Sequence, residues 1–203
     1  MFSLSNILAS LVGIAIAISV HEFGHAFAAH LLGDDTAKSY GRMTLDPAKH
    51  IDPLGLAMLL ITMVIGSPIV FGWAKPVPVN PNNFKNYKVG NVLVSLAGAI
   101  GNILAAIVCV LIMKNVSMEA IRVITYTTMM YNIGFAAFNL LPIPPLDGWG
   151  IVSSFIPYKY NEFVYKYESY SYPILILLLI TGAYGIIVSP IRDVIWNIVT
   201  LFY

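Results

Sequence analysis

Long apolar runs separated by short polar connectors set the pattern of this chain. Five runs approach the roughly 20 residues that a helix needs to cross about 30 Å of hydrocarbon. They are Leu4 to Leu32, Pro53 to Trp73, Val89 to Met113, Met118 to Leu141 and Tyr172 to Val188. Polar connectors fill Gly33 to Asp52 and Ala74 to Lys88, a Tyr-rich one fills Pro157 to Tyr170, and Leu146 to Ile156 is apolar but too short to cross. After Pro190 the tail IRDVIWNIVTLFY keeps an apolar face with Trp196 and Tyr203, which fits a helix at the membrane interface or a partial last crossing. The pattern predicts an all-α, polytopic membrane protein of about four to six membrane segments. No repeat and no separate soluble module is visible, so residues 1–203 read as one membrane-embedded domain, with a core over about 4–156 and a C-terminal span and tail over 171–203.

Composition strengthens this reading. Hydrophobic residues make up 58% of the chain and charged residues 10%, and the mean hydropathy is +0.79; a soluble domain carries more charge than this. A net charge of +1, thinly spread, excludes the basic stripe that would track a nucleic-acid backbone. Cys109 is the single cysteine, so no internal disulfide can form, and within an apolar run it reads as a small buried hydrophobe. Leu4 to Val20 has the length of a signal peptide, but no lysine or arginine precedes it and cleavage behind it would orphan His21; a mature helix is expected.

Charge also constrains topology, because lysine and arginine collect in short cytoplasmic loops. If every run crossed, Lys38, Arg42 and Lys49 would oppose Lys75, Lys85 and Lys88, and no orientation would follow. Pro53 to Trp73 is interrupted by Gly55, Gly66 and Pro68, and if it dips in and returns, those six cations share a face with Lys159 and Lys166. Only Lys114, Arg122 and Arg192 then lie opposite, an eight-to-three split that favours a re-entrant segment.

The chemistry begins at SVHEFGHAF, residues 19–27, at the end of the first run. His21 and His25, four apart, share one face of a helix and can hold one metal ion between them. H-E-x-x-H is the zinc helix of metalloproteases, with Glu22 placed to take a proton from the attacking water. Ionisable groups at hydrocarbon depth cost about 2.5–3.5 kcal/mol each on the insertion scale, which favours function over filler. His30 is half a turn out of phase with the pair and reads as interfacial, and His50 reads as a bonded loop histidine.

A catalytic zinc needs a third protein ligand. Asp147 ends FNLLPIPPLDGWG, where Pro142, Pro144 and Pro145 forbid regular helix and force an extended backbone at the end of an apolar run. Meeting His21 and His25 requires an even number of crossings between them, and the re-entrant reading supplies two, Val89 to Met113 and Met118 to Leu141. A zinc-binding transporter or scaffold would use the same three ligands without Glu22, but Val89 to Met113 offers no charged side chain for a transport path.

His21-Glu22-x-x-His25 followed by Asn139-x-x-Pro142-x-Pro144-x-Leu146-Asp147-Gly148 resembles the site-2 protease family of intramembrane zinc metalloproteases. YGRMTLDPAKHIDPLG and FGWAKPVPVNPNNF resemble the short prokaryotic form, without a PDZ or nucleotide-sensing domain, so the likeness runs from about residue 15 to about 155. In SLAGAIGN, Gly98 and Asn102 match the family, whereas Ala99 stands where it has proline. The resemblance implies a multi-pass enzyme of the prokaryotic cell membrane, with its centre near the cytoplasmic side, that cuts transmembrane protein or peptide substrates within the lipid bilayer. It implies one Zn2+ per chain on His21, His25 and Asp147, Glu22 as general base, and Asn139 at the substrate backbone or oxyanion. It further implies a small β-hairpin after the first helix, with an edge for substrate near Tyr40 to Leu45.

Overall fold

The structure, a computed structural model, describes residues 4–66 and 72–203. Pro68, one of the expected breaks in the second apolar run, falls in residues 67–71, outside the described part.

The apolar runs become helices whose ends are set by local chemistry. Helix α1, Leu4–Leu31, stops where Gly33 adopts φ 101° and Asp34 donates its backbone N–H to the Ala29 carbonyl. A single turn, α2, spans Thr36–Ser39. Helix α3, Pro53–Val64, starts at Asp52, whose carboxylate accepts from the Leu54 and Gly55 amides while Pro53 fills the first position; Asp-Pro at a helix start caps orphan donors and fixes φ. Helix α4, Tyr87–Asn115, is capped by Asn86, and α5, Glu119–Asn139, follows after a short turn. Helix α6, Asp147–Ser153, begins directly after the proline-rich break, and α7, Asn161–Thr181, and α8, Ala183–Thr200, complete the chain.

Helices α1, α4 and α5 form the central group, with α6 and α8 packed on α4 and α8 also on α5. Small residues lie between them beside a few large ones: Ala26, Ala29, Ala106, Ala136 and Ala137 are wholly buried, as are Ile133 and Val110, while Leu8, Val12, Leu104 and Leu177 point outwards and are exposed. Small residues inside and large apolar ones outside suit helices that associate in lipid by close backbone approach.

Helices α1 and α4 are long and apolar enough to cross a bilayer, and α7 with α8 would count as a third crossing if taken as one broken span. Helix α5 has 21 residues but carries Thr125, Thr128 and Asn132, all buried against the bundle; polar residues turned inward lower its hydropathy without exposing them to lipid. The expected Tyr172–Val188 span does not form as drawn. Gly182, at φ 72°, ends α7 and opens α8 at 90°, and the Tyr-rich stretch expected as a connector is largely the first half of α7. The tail does not start a new element after Pro190, which lies inside α8; Val188, Ile195 and Val199 join the main core with Met129 and Ile133, and α8 with α7 can form the partial last crossing.

Helix α3, at 12 residues, is about 18 Å long and too short to cross. The chain comes back to where α3 starts, since Ile51 and Ala74 form an antiparallel bridge and Lys75 donates its N–H to the His50 carbonyl at 2.8 Å. That bridge is the only β pairing among the described residues, and the hairpin expected near Tyr40 to Leu45 is turn and bend instead. Its neighbour across the gap carries Pro76 and Pro78, which have no N–H for a ladder, and Arg42 bonds that backbone through its side chain.

Candidate metal centre

His21 and His25 stand one turn apart on α1, and the break before α6 brings Asp147 to them. Asp147 Oδ2 lies 3.1 Å from His21 Nε2 and 3.3 Å from His25 Nε2, and the two Nε2 atoms are 3.0 Å apart. These edges are those of a tetrahedron with metal bonds of about 2.0–2.1 Å, whose edges measure about 3.3 Å.

The hydrogen bonds behind the rings fix their tautomers. His25 Nδ1 is 2.7 Å from the Val94 carbonyl, which can only accept, so Nδ1 carries the proton and Nε2 of the neutral ring presents a lone pair. His21 Nδ1 is 2.8 Å from Asn102 Oδ1. Asn102 Nδ2 donates to the Ala17 carbonyl at 2.8 Å and to Asn132 Oδ1 at 2.9 Å, which assigns Oδ1 as acceptor and His21 Nδ1 as donor. Two imidazole lone pairs and a carboxylate oxygen thus converge, and Oδ2 is buried with no hydrogen-bond partner. Three electron-pair donors this close repel one another unless a cation sits among them. The His2Asp set suits zinc, and the partners on Nδ1 are those that orient metal-binding histidines.

Helix α4 supplies most of this support from one stripe. Asn91, Val94, Gly98 and Asn102 recur at three- and four-residue spacing, so they lie on one face. A Cβ at Gly98 would sit 2.6 Å from His21 Cε1 and 2.7 Å from His25 Nε2, so only glycine lets α4 approach the histidine helix this closely. Asn91 donates to the Gly150 carbonyl and the Ser154 hydroxyl, both at 2.8 Å, and so ties α6, the helix Asp147 begins, to the same stripe. The Phe135 ring closes the far side, edge-on to His21 at 4.8 Å.

Glu22 is buried beside the set, with Oε2 accepting from the Val77 N–H at 2.7 Å. The stretch carrying Val77 is pinned at both ends. Arg42 Nη2 donates to the Lys75 carbonyl at 2.7 Å and to that of Pro76 at 3.3 Å, and Asp34 Oδ2 accepts from the Asn80 N–H at 2.7 Å. Asp34 is fully buried; burial pushes its carboxyl up, but donors from Thr36, Asn80 and Asn83 outweigh this and hold it below the usual carboxylate range.

Of the residues singled out in the sequence, His21, His25 and Asp147 meet, and Glu22 adjoins them on α1. Asn139, the last residue of α5, donates its amide to the Phe135 carbonyl of its own helix at 3.0 Å. His30 pairs with Asp35, and His50 Nε2 is 2.8 Å from the Thr44 carbonyl, so both are local loop contacts. Asn91, Asn132 and Val77 were not singled out, and Asn102 only as a family match. The three asparagines could have been found as neutral polar residues facing inward along apolar helices.

No protein-family profile and no solved structure matches the chain. Among curated proteins it is 32% identical over 192 residues to "Putative zinc metalloprotease YwhC" of Bacillus subtilis, covering 90% of this chain and 84% of that one. It is 29% identical over 182 residues to "Putative zinc metalloprotease Rip2" of Mycolicibacterium smegmatis, covering 85% and 67%. With the Rip2 protein of Mycobacterium tuberculosis H37Rv it shares 34% identity over 151 residues, covering 68% and 54%. A likeness that spans most of both chains, together with the His21, His25 and Asp147 cluster, leads to one conclusion: the chain belongs to the zinc metalloproteases of the site-2 protease family.

Proposed function

We propose that residues 1–203 form a membrane-embedded intramembrane zinc endopeptidase domain that hydrolyses peptide bonds in or near the transmembrane segments of membrane proteins. The observation that carries the reading is the convergence of His21, His25 and Asp147 between apolar helices, with Asp147 Oδ2 buried and unbonded. The return of the chain from α3 to its starting point supports a re-entrant segment, which keeps the loops before and after it on one side. With α1, α4, α5 and the α7–α8 pair, this makes about five membrane segments. The lysine and arginine asymmetry supports a centre towards the cytoplasm.

His21, His25 and Asp147 are the zinc ligands, one ion per chain. Bound zinc supplies Lewis acidity, polarising the scissile carbonyl and acidifying a water molecule. Glu22 accepts the proton of the attacking water and returns it to the leaving amide nitrogen. His21 and His25 keep their Nδ1 protons on Asn102 and Val94, so their lone pairs stay directed at the centre. Asn139 sits at the end of α5, where its carbonyl oxygen or a released amide reaches a substrate backbone. A substrate helix hides its peptide bonds and must unwind to be cut, which favours segments with glycine, proline or asparagine.

Glu22→Gln is the test. Cleavage of a reporter transmembrane peptide by the purified full chain in liposomes should fall at least about 10²-fold, the scale of general base catalysis, with zinc content unchanged. Full cleavage by that variant would take the general-base role from Glu22, and no cleavage by the zinc-loaded parent chain would leave only a metal-binding membrane protein.

A further inference from the structure

We infer that the backbone N–H of Val77 aims the Glu22 carboxylate, making Val77 a positioning residue for the general base. The inference rests on the role of Glu22 proposed above.

The sequence Lys75-Pro76-Val77-Pro78 is built to present one donor. Pro76 and Pro78 have no N–H, so Val77 holds the only one between residues 76 and 78. The residue before a proline is driven into extended conformation, which applies to both Lys75 and Val77. The resulting strap is locked on each side of the donor: Lys75 N–H goes to His50 O, Arg42 clamps the carbonyls of Lys75 and Pro76, and Asp34 takes the Asn80 N–H. Asp34 follows directly on α1, the helix that carries Glu22, so strap and base share one frame. A glutamate at a helix surface otherwise turns about three side-chain bonds. Val77 takes Oε2 at 2.7 Å and removes that freedom, leaving Oε1 for proton transfer.

Positioning of this kind is worth up to about 10²-fold in rate. The experiment uses the zinc-loaded full chain in liposomes with the reporter peptide. Val77→Pro deletes the donor, and replacing Val77 by its α-hydroxy acid analogue, which turns the amide into an ester, deletes the N–H with the side chain intact. Both should lower kcat about 10–100-fold, the cost of a misplaced reacting group, with KM within about threefold. Zinc content and the visible spectrum of the cobalt(II)-substituted protein should not change, while Val77→Ala, which keeps the N–H, should restore kcat. An unchanged kcat in the ester form overturns the inference. So does a raised kcat, since the strap would then be blocking the base, and so does loss of the cobalt spectrum, since the bond would then hold the ligands together. If Glu22→Gln is inactive and the ester form cleaves at full rate, only this inference fails; if Glu22→Gln still cleaves, the proposed role of Glu22 fails; if the zinc-loaded parent chain does not cleave, the proposed function itself fails.

Discussion

Lys75-Pro76-Val77-Pro78 and Pro142-Ile143-Pro144-Pro145 each carry one polar group to the centre, the Val77 N–H in the first case and the Asp147 carboxylate in the second. Proline rings keep both stretches out of helix and leave few backbone donors to satisfy. What holds them differs. Around the second, Leu141, Ile143 and Leu146 are buried in the main core, and the helix it opens is bonded to Asn91. The first lies on polar clamps from Arg42, Asp34 and His50. Apolar packing has no charged part, whereas two of the three clamps, Arg42 and Asp34, are charged side chains, so the two arms should fail under different insults.

Removing the cargo of the core-locked arm should have the largest effect. Asp147→Ala is expected to abolish cleavage and bring zinc well below one ion per chain by metal analysis; full zinc occupancy would mean that the arm does not carry a ligand. Next comes the support on α4. Asn102→Ala removes the bond to His21 and should weaken zinc binding about 10–100-fold in a chelator competition, the usual cost of losing such a partner.

The clamped arm should respond differently. Arg42→Ala frees the carbonyls of Lys75 and Pro76, at a cost of about 1.5–3 kcal/mol for hydrogen bonds to a charged group. The expected result is a lower melting temperature and a kcat reduced about tenfold at unchanged zinc content, as misplacement of a catalytic group predicts. A parallel loss of zinc would erase the distinction between the arms.

Asp34 gives the smallest and most specific effect. Its folded-state carboxyl titrates below the ordinary value of about 3.9. Its stabilisation is therefore fully present above about pH 3.9 and is lost as pH falls from there through the lower folded value. The melting temperatures of the parent and Asp34→Asn should converge across that acid window and stay apart by a constant amount above it. A difference that does not change with pH would show that charge on Asp34 is not what anchors Asn80.

The cluster of His21, His25 and Asp147, with Glu22 beside it, was legible in the sequence because ionisable groups in apolar runs have few reasons to be there. Proline placement signalled the break before α6, and the charge asymmetry signalled that the Pro53 to Trp73 stretch turns back. Less was legible where no charge marks the position. Asn91, Asn102 and Asn132 look like ordinary tolerance in helices, since a neutral amide costs little to carry until one sees that it is buried and bonded. Val77 contributes only backbone, so nothing in its side chain announces it. The hairpin was misjudged because the partner strap trades ladder donors for proline, and the last span because a single glycine in left-handed conformation redirects the chain by 90°.

The placing of small residues between helices and large ones outside has a consequence for how this chain tolerates change. Leu8, Val12 or Leu104 can exchange for other apolar residues of nearly any shape, because lipid reshapes around them. Gly98 has no such latitude, since a Cβ there would sit 2.6 Å from His21 Cε1, and making room for it would push two helices apart and move the histidines with them. A bulky core of Ile133, Leu141 and Val110 is kept as in a water-soluble enzyme, but the permissive surface here is large and apolar, not small and polar. The closeness of the histidine helix to α4 is written in the smallest side chain of all, that of Gly98.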